Sequence, residues 1–260
     1  MLKKNYLLEK LKNTNEVCIG TWSVIPSPVF TDVLCSSGLD FIIIDSEHGP
    51  IGFECAQEMA IACESQGVSP IMRVPGVDQE SILKALEIGV HGIQVPNIEN
   101  LEQIKHLLEY SKYPPVGKRG LSPFTRACGY SSDFSKEMVS RANGNTLVNI
   151  HIEGKAGIEN IDAILKNNFI DVYFLGLFDI SSYLGRPGEI DHPEIIELFK
   201  MLSLKIVAAN KIVGSISNSI KQLNFLMDNN VRYITHAVDC HMVRHAYQEL
   251  ISTVKNRGIE

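Results

Sequence analysis

Eight short runs rich in β-branched residues alternate with segments of helical period along this chain, and that rhythm restricts the fold more than any single motif. The runs are Val17–Trp22, Phe41–Asp45, Pro70–Val74, Gly92–Pro96, Leu147–Glu153, Val172–Gly176, Lys211–Gly214 and Val231–Thr235. Phe41-Ile42-Ile43-Ile44 shows no polar alternation, as expected of a strand buried on both faces of a parallel sheet. Helices are expected at 4–13, 27–35, 53–66, 78–88, 100–112, 133–143, from strand five to Leu165, and at 179–184, 193–209, 218–228 and 239–255. Ser27-Pro28 and Asp78 supply start signals, and Gly38, Gly67 and Gly89 supply stops. Eight such units within 260 residues, with no linker or change of composition, predict one domain over residues 1–260 folded as a TIM (β/α)8 barrel. A doubly wound open sheet competes, but it calls for a nucleotide-type glycine loop, and neither G-x-G-x-x-G nor a P-loop is present. The stretch from Tyr113 to Ser132, with Pro114-Pro115, Gly117, Gly120, Pro123 and Gly129, is irregular and too long for a plain connection; a loop of this length in a compact domain is usually functional or disordered.

Charge and cysteine usage narrow the partners. The net charge is -6 and no dense basic stripe is visible, which argues against a nucleic-acid surface. No apolar run is long enough to cross a bilayer, and the amphipathic N-terminus lacks the apolar core of a signal peptide. The six cysteines form no C-x-x-C pair, and several lie inside apolar runs. A cytoplasmic protein with reduced thiols, acting on small molecules, is the expectation.

In a barrel of this kind, chemistry collects at the carboxyl ends of the strands. Strand two ends in Asp45, Glu47 and His48, strand three in Arg73 and strand five in Glu153, and Asp179 follows strand six. Taken alone, each has an ordinary reading. Asp179 reads as a helix cap, Glu153 as a first-turn carboxylate, Arg73 as an ion-pair partner and His48 as a loop residue. His241 and His245 stand four apart on a helix, a spacing that an exposed face explains. Convergence on one rim is the informative fact. If strands five and six are neighbours, Glu153 and Asp179 can share one hard divalent cation and leave positions open, which favours Mg²⁺, Mn²⁺ or Co²⁺ over a closed zinc site. The turn Gly176-Leu177-Phe178-Asp179 opens a helix whose free N–H groups suit a carboxylate. A small 2-keto acid fits both features. Arg73 is placed to hold its enolate oxygen, and His48 to act as the base.

The same residues resemble the class II, metal-dependent pyruvate aldolases, the family of 4-hydroxy-2-oxoheptanedioate and 2-keto-3-deoxy-L-rhamnonate aldolases. The resemblance runs from Gly20-Thr21-Trp22 to Val238-Asp239. It is carried by Asp40-Phe-Ile-Ile-Ile-Asp45-Ser-Glu-His48, Arg73-Val-Pro75, Val95-Pro96, Tyr113-Pro-Pro-x-Gly-x-Arg-Gly120, Ile152-Glu153 and Gly176-x-x-Asp179-Ile-Ser181. It implies a barrel of the phosphoenolpyruvate/pyruvate type and a homohexamer, a trimer of dimers exchanging C-terminal helices. It implies reversible cleavage of a 4-hydroxy-2-oxo acid or 2-keto-3-deoxy sugar acid to pyruvate and an aldehyde. By the same resemblance Glu153 and Asp179 match the metal ligands, His48 the base and Arg73 the keto-acid arginine. Phe178 and Asp179 match the backbone carboxylate site. Asp45 belongs to the catalytic motif, and Glu87 falls where the family carries an aspartate supporting the histidine.

Three departures accompany the match. His151 stands where relatives have glutamine or methionine, beside the substrate. Leu177-Phe178 replaces proline plus a small or polar residue, a change that narrows or reshapes the pocket. Arg126 falls near the position of an arginine that reaches the aldehyde's distal carboxylate. Two rival readings keep the barrel: a lyase of acyl-CoA thioesters, which would need a basic surface for the nucleotide, and a non-catalytic 2-keto-acid binding protein.

Overall fold

The computed structural model describes residues 4–131 and 135–257. Its strands close into a parallel barrel in chain order: β1 (Cys18–Ser23), β2 (Phe41–Asp45), β3 (Ser69–Arg73), β4 (Gly92–Val95), β5 (Leu147–Ile152), β6 (Val172–Leu175), β7 (Ile212–Ser217) and β8 (Val231–Val238). Around it run α1 (Tyr6–Asn13), α2 (Pro28–Cys35), α3 (Phe53–Ser65), α4 (Gln79–Glu87), α5 (Leu101–Ser111), α6 (Lys136–Asn145), α7 (Lys155–Glu159), α8 (Ile161–Ile164), α9 (Leu177–Tyr183), α10 (Pro193–Ala208), α11 (Ile220–Asp228) and α12 (Asp239–Arg257). The expected TIM barrel is therefore the observed fold. No helix among the described residues is long and apolar enough to cross a membrane.

Local chemistry sets the boundaries. Ser27 Oγ accepts the Phe30 N–H at 3.2 Å to start α2, and Asp78 Oδ2 accepts the Ser81 N–H at 2.7 Å to start α4. Each such cap stabilises its helix by about 1 kcal/mol. Gly38, Gly67 and Gly89 end the preceding helices with φ of 89°, 75° and 83°, a region that side chains disfavour. Two apolar layers follow. One lies between the strands and the outer helices and includes Ile44, Met59, Met72, Ile93, Ile150, Leu175 and Phe199. The other fills the barrel, where Phe41 stacks on Tyr233 with ring centroids 4.1 Å apart. Leu7, Leu8 and Leu11 of α1 join this inner layer beside Cys18, Phe41, Leu147, Val172 and Ile212, which open their strands. Helix α1 thus plugs the amino end and leaves the carboxyl end for chemistry.

The structure departs from the expected elements in a few places. The single helix expected to Leu165 is two short pieces, α7 and α8, because Asn160 leaves helical geometry and its Nδ2 donates to Glu99 O at 2.9 Å. Strands β7 and β8 run further than their apolar cores. Their polar ends are satisfied inside the barrel, with Ser215 Oγ donating to Leu175 O at 2.7 Å and Ser217 Oγ 2.8 Å from His236 Nδ1. Among its described residues, the long connection after α5 contains a single 3₁₀ turn, Arg126–Cys128. Of the helix expected at 133–143, residues 133 and 134 lie outside the described ones, and α6 runs on to Asn145.

Helix α12 stands apart. Its first residue is locked: Asp239, buried, accepts from Ser23 Oγ at 2.9 Å and from the Val24 and Ile25 N–H groups at 3.1 Å. Beyond it every side chain from Cys240 to Asn256 is exposed, including Tyr247, Leu250, Ile251 and Val254.

Candidate active site

The carboxyl ends of β2 and β3 pair Asp45 with Arg73 in register. The fork is bidentate: Arg73 Nε donates to Asp45 Oδ1 at 2.8 Å and Nη2 to Oδ2 at 2.6 Å. Asp45, 1% exposed, also accepts the N–H groups of Glu47 at 3.0 Å and His48 at 3.3 Å, so one carboxylate shapes the loop that carries His48. The guanidinium lies over the Trp22 ring, 4.2 Å from its centroid. Arg73 Nη1 sits 2.9 Å from Glu47 Oε2 but off the line of a hydrogen bond, and that buried oxygen has no hydrogen-bond partner. Nη1 therefore keeps hydrogens for a ligand. Arg73 is held on two sides and still open on a third.

Glu153 follows β5, and Gly176 follows β6. The two strands pair with Ile152 opposite Leu175, so both chain turns leave the barrel side by side. The Glu153 carboxylate is clamped at both oxygens. Oε1 accepts the Asn97 N–H at 2.9 Å, and Oε2 lies 3.1 Å from His151 Nδ1. Asn97 has φ of 55°, a left-handed conformation that turns its N–H onto the acid. His151 is itself fixed. Its ring stacks on Phe174 at 4.7 Å, meets the Trp22 edge at 6.1 Å, and its Nε2 contacts the Gln94 amide. Gln94 Oε1 accepts from Asn149 Nδ2 at 3.0 Å and from the Tyr233 hydroxyl at 3.3 Å, so the Gln94 Nε2 donates and His151 carries its proton on Nδ1, facing Glu153. Burial pushes the Glu153 carboxyl up, but the His151 hydrogen bond, the Asn97 N–H and Arg73 outweigh it and hold the group below the usual range.

Asp179 behaves in the opposite way. Partial burial and then the negative charge of Glu153 push its carboxyl above the ordinary range, against weaker pulls from His151, its own N–H and Arg73. Gly176 matters here because a Cβ on it would overlap Asp179 Oδ2. Two carboxylates that repel each other across one cavity, one fixed by hydrogen bonds and one at the solvent-facing rim, are a donor set suited to a hard dication. Among the described residues no three His, Cys, Asp or Glu side chains group into a closed metal cage. A two-carboxylate site with open positions is the arrangement available.

A cavity of about 240 Å³ joins these groups. It is lined by Asp45, His48, Arg73, His151, Glu153 and Asp179 together with Trp22, Val24, Phe174, Gly176, Phe178, Ile216 and Val238. His48 is exposed at the rim. Phe178, 45% exposed, flanks the mouth, whereas Leu177 is buried in the outer apolar layer and does not narrow the cavity. Two expected residues lie elsewhere in this chain. Glu87, at the end of α4, pairs with Arg119 at 2.6 Å and not with His48. Arg126 pairs with Glu64, donates to Ile88 O at 3.0 Å and Gly89 O at 3.3 Å, and lines a separate hollow with Asn5, His91 and Thr146 at the amino end of the barrel. The acceptor-arm reading of Arg126 fails within one chain because those carbonyls and Glu64 occupy its guanidinium at the wrong end.

Residues 19–246 match the family model described as HpcH/HpaI aldolase/citrate lyase. The chain belongs to this family. A hydroxypyruvate/pyruvate aldolase of Roseobacter denitrificans is 30% identical over 237 residues, 90% of this chain and 91% of the relative. A 5-keto-4-deoxy-D-glucarate aldolase of Enterobacter sp. is 28% identical over 240 residues, 92% of this chain and 93% of the relative. An HpcH/HpaI aldolase/citrate lyase family protein from Burkholderia cenocepacia superposes with a TM-score of 0.90 at 23% identity, over 96% of this chain and 99% of that one, which speaks for the fold. The chain is a lyase of the aldolase type. Gln94, Asn97 and Asn149 are the parts of this HpcH/HpaI site that the sequence did not single out. Gln94 and Asn149 interrupt apolar strands, and a polar side chain inside such a strand was the available signal.

Proposed function

We propose that this chain reversibly cleaves 4-hydroxy-2-oxo acids or 2-keto-3-deoxy sugar acids to pyruvate and an aldehyde, with Mg²⁺, Mn²⁺ or Co²⁺ held by Glu153 and Asp179. The observation that carries the reading is the opposed pair of carboxylates from adjacent strands in one cavity with Arg73 and His48. When bound, the cation supplies Lewis acidity toward the keto oxygen. The residues do the rest. The first-turn N–H groups of Phe178 and Asp179 receive the keto-acid carboxylate. Arg73, oriented by Asp45, donates Nη1–H to the 2-oxygen as it gains charge. His48 takes the proton from the C4 hydroxyl, directly or through water. The C4–O electrons then form the aldehyde carbonyl and the C3–C4 pair passes into the pyruvate enolate. A proton returned to C3 gives pyruvate. The His151–Gln94 chain holds Glu153 in position throughout.

A thioester lyase finds less support, because Arg73 is the one Lys or Arg among the described residues lining the cavity, and a nucleotide's phosphates call for more. For assembly, the exposed apolar side chains of α12 favour a homo-oligomer, with the hexamer of exchanged C-terminal helices as the proposed form. Buried free thiols at Cys18, Cys35 and Cys63 suit the cytoplasm. The test is pyruvate release from a panel of 4-hydroxy-2-oxo acids with Mg²⁺ or Mn²⁺. Cleavage by Glu153→Ala at the wild-type rate would falsify the carboxylate assignment.

A further inference from the structure

We infer that the amino end of the barrel carries a second ligand site, for an organic phosphate with a flat apolar body, such as a nucleotide. Two hollows open there beside α1, with volumes of about 860 Å³ and about 750 Å³, against about 240 Å³ for the cavity at the carboxyl rim. Volumes of this order suit a ligand of nucleotide size. The strand starts fix the location: Thr146 precedes β5, Asp171 precedes β6 and Lys211 precedes β7. Lys12 and Asp171, paired at 2.8 Å, line both hollows and stand where the two meet. The larger hollow has an apolar wall of Pro114, Pro115, Val116, Val139 and Phe169, whose ring is 44% exposed. The smaller one is lined by Asn15, Asn168, Asn210 and Asn230, which offer amide donors and acceptors to hydroxyl groups.

Charge selects the head group. Among the described lining residues, the cations Lys12, Lys112, Lys136, Lys211 and Arg232 face one acid, Asp171, in a chain whose net charge is -6. Asp171 is already engaged, with Oδ1 on Lys12 and Oδ2 accepting the Val148 N–H at 3.0 Å. Lys112, 2% exposed, donates to Asn143 O and Thr146 O at 2.8 Å and has a third ammonium hydrogen without a partner among the described residues. Arg232 donates to Thr14 O and to Leu11 O, so carbonyls and not a carboxylate hold its charge. The ammonium groups of Lys136 and Lys211 make no hydrogen bond or ion pair among the described residues. Burial lowers both Lys112 and Lys211, and Lys12 adds to this as a like charge against the pull of Asp171. Like charges gathered in a partly dry hollow repel until an anion joins them. Several compact ammonium groups around one place suit a doubly charged phosphate better than a single carboxylate.

The test is calorimetric titration of the full chain with ADP, at pH ~7 and ~0.1 M salt, in the presence of a chelator. The chelator keeps cations off Glu153 and Asp179, so no metal ion draws phosphates to the carboxyl rim. ADP is expected to bind with Kd on the order of 100 μM or below, and adenosine, inorganic phosphate and succinate at least ~10-fold more weakly. Lys211→Ala removes a cation, and Lys12→Ala removes another and leaves Asp171 uncovered. Each is expected to weaken ADP by about tenfold, while Lys211→Arg keeps the wild-type affinity within roughly threefold. Phe169→Ser is expected to weaken ADP about fivefold or more and to leave inorganic phosphate unaffected. No saturable binding of ADP below ~5 mM overturns the inference. So does adenosine, phosphate or succinate binding as tightly as ADP, and so does an ADP affinity unchanged in both folded lysine variants or in Phe169→Ser.

Discussion

Asp45→Ala tests whether the site is organised by one buried carboxylate. The substitution deletes two charge-assisted bonds from Arg73, at 2.8 and 2.6 Å, and two backbone bonds that shape the His48 loop, at 3.0 and 3.3 Å. Breaking a buried ion pair by removing one partner costs about 3–5 kcal/mol, because the other charge stays behind without its counter-ion. Here Glu47, 2.9 Å from Nη1, and the Trp22 face still contact Arg73, which places the loss near the lower end, at about 3 kcal/mol. For a domain of this size that corresponds to a fall in Tm of roughly 6–12 °C. Lys84→Ala is the control. Its partner Glu80 is also 2.6 Å away, but both side chains are at the surface, so the expected loss is below about 0.5 kcal/mol. Urea unfolding of the three proteins, together with calorimetric Mn²⁺ and pyruvate titrations, reads both outcomes. Equal losses from the two substitutions, or a loss under about 1 kcal/mol for Asp45→Ala, would refute the reasoning that burial gives this pair its weight.

Three further outcomes are expected. Lys112, buried with its ammonium donating to Asn143 O and Thr146 O at 2.8 Å, is lowered by burial from 10.5 to about 8. Its folded-state value lies below the unfolded one, so between the two the unfolded chain keeps a proton that the folded chain has shed, and this lysine's contribution to stability rises with pH. The difference in unfolding free energy between wild type and Lys112→Met should grow by up to about 1.4 kcal/mol per pH unit from pH ~8 to ~10, and a flat difference in urea melts across that window would contradict the burial. Gly176→Ala should keep the fold by circular dichroism yet weaken Mn²⁺ binding at least ~10-fold by calorimetry, because the new methyl group takes the space of Asp179 Oδ2; unchanged affinity would disprove the placement of Asp179. Leu250→Glu with Ile251→Glu should lower the assembly size in sedimentation, and an unchanged particle would place the subunit contact elsewhere.

The barrel was legible because its strands carry no side-chain alternation and its helices are punctuated by caps and glycines. Both are local signals that tertiary packing had no reason to override. Much of the site was legible for a related reason. A parallel barrel brings the ends of all its strands to one rim, so Asp45, His48, Arg73, Glu153 and Asp179 could be placed together without knowledge of the loops. What the sequence concealed depends on contacts across strands. Gln94 gains its role only because β4 lies between β3 and β5, and Asn97 because a left-handed backbone aims its N–H at Glu153. Arg126 was hard to place for the converse reason. It sits in a connection of some twenty residues, and neither spacing nor residue type reveals that the 3₁₀ turn Arg126–Cys128 packs beside α4 at the plugged end of the barrel.

The ring beneath Arg73 also has an optical consequence. Trp22 is the chain's sole tryptophan, and it is wedged between the guanidinium and the perpendicular rings of His151 and Phe174. Indole emission from the whole molecule therefore originates at the carboxyl rim of the barrel. A paramagnetic ion or a carbonyl compound arriving there will quench or shift it, so occupancy can be followed in real time, without a label, in the native protein.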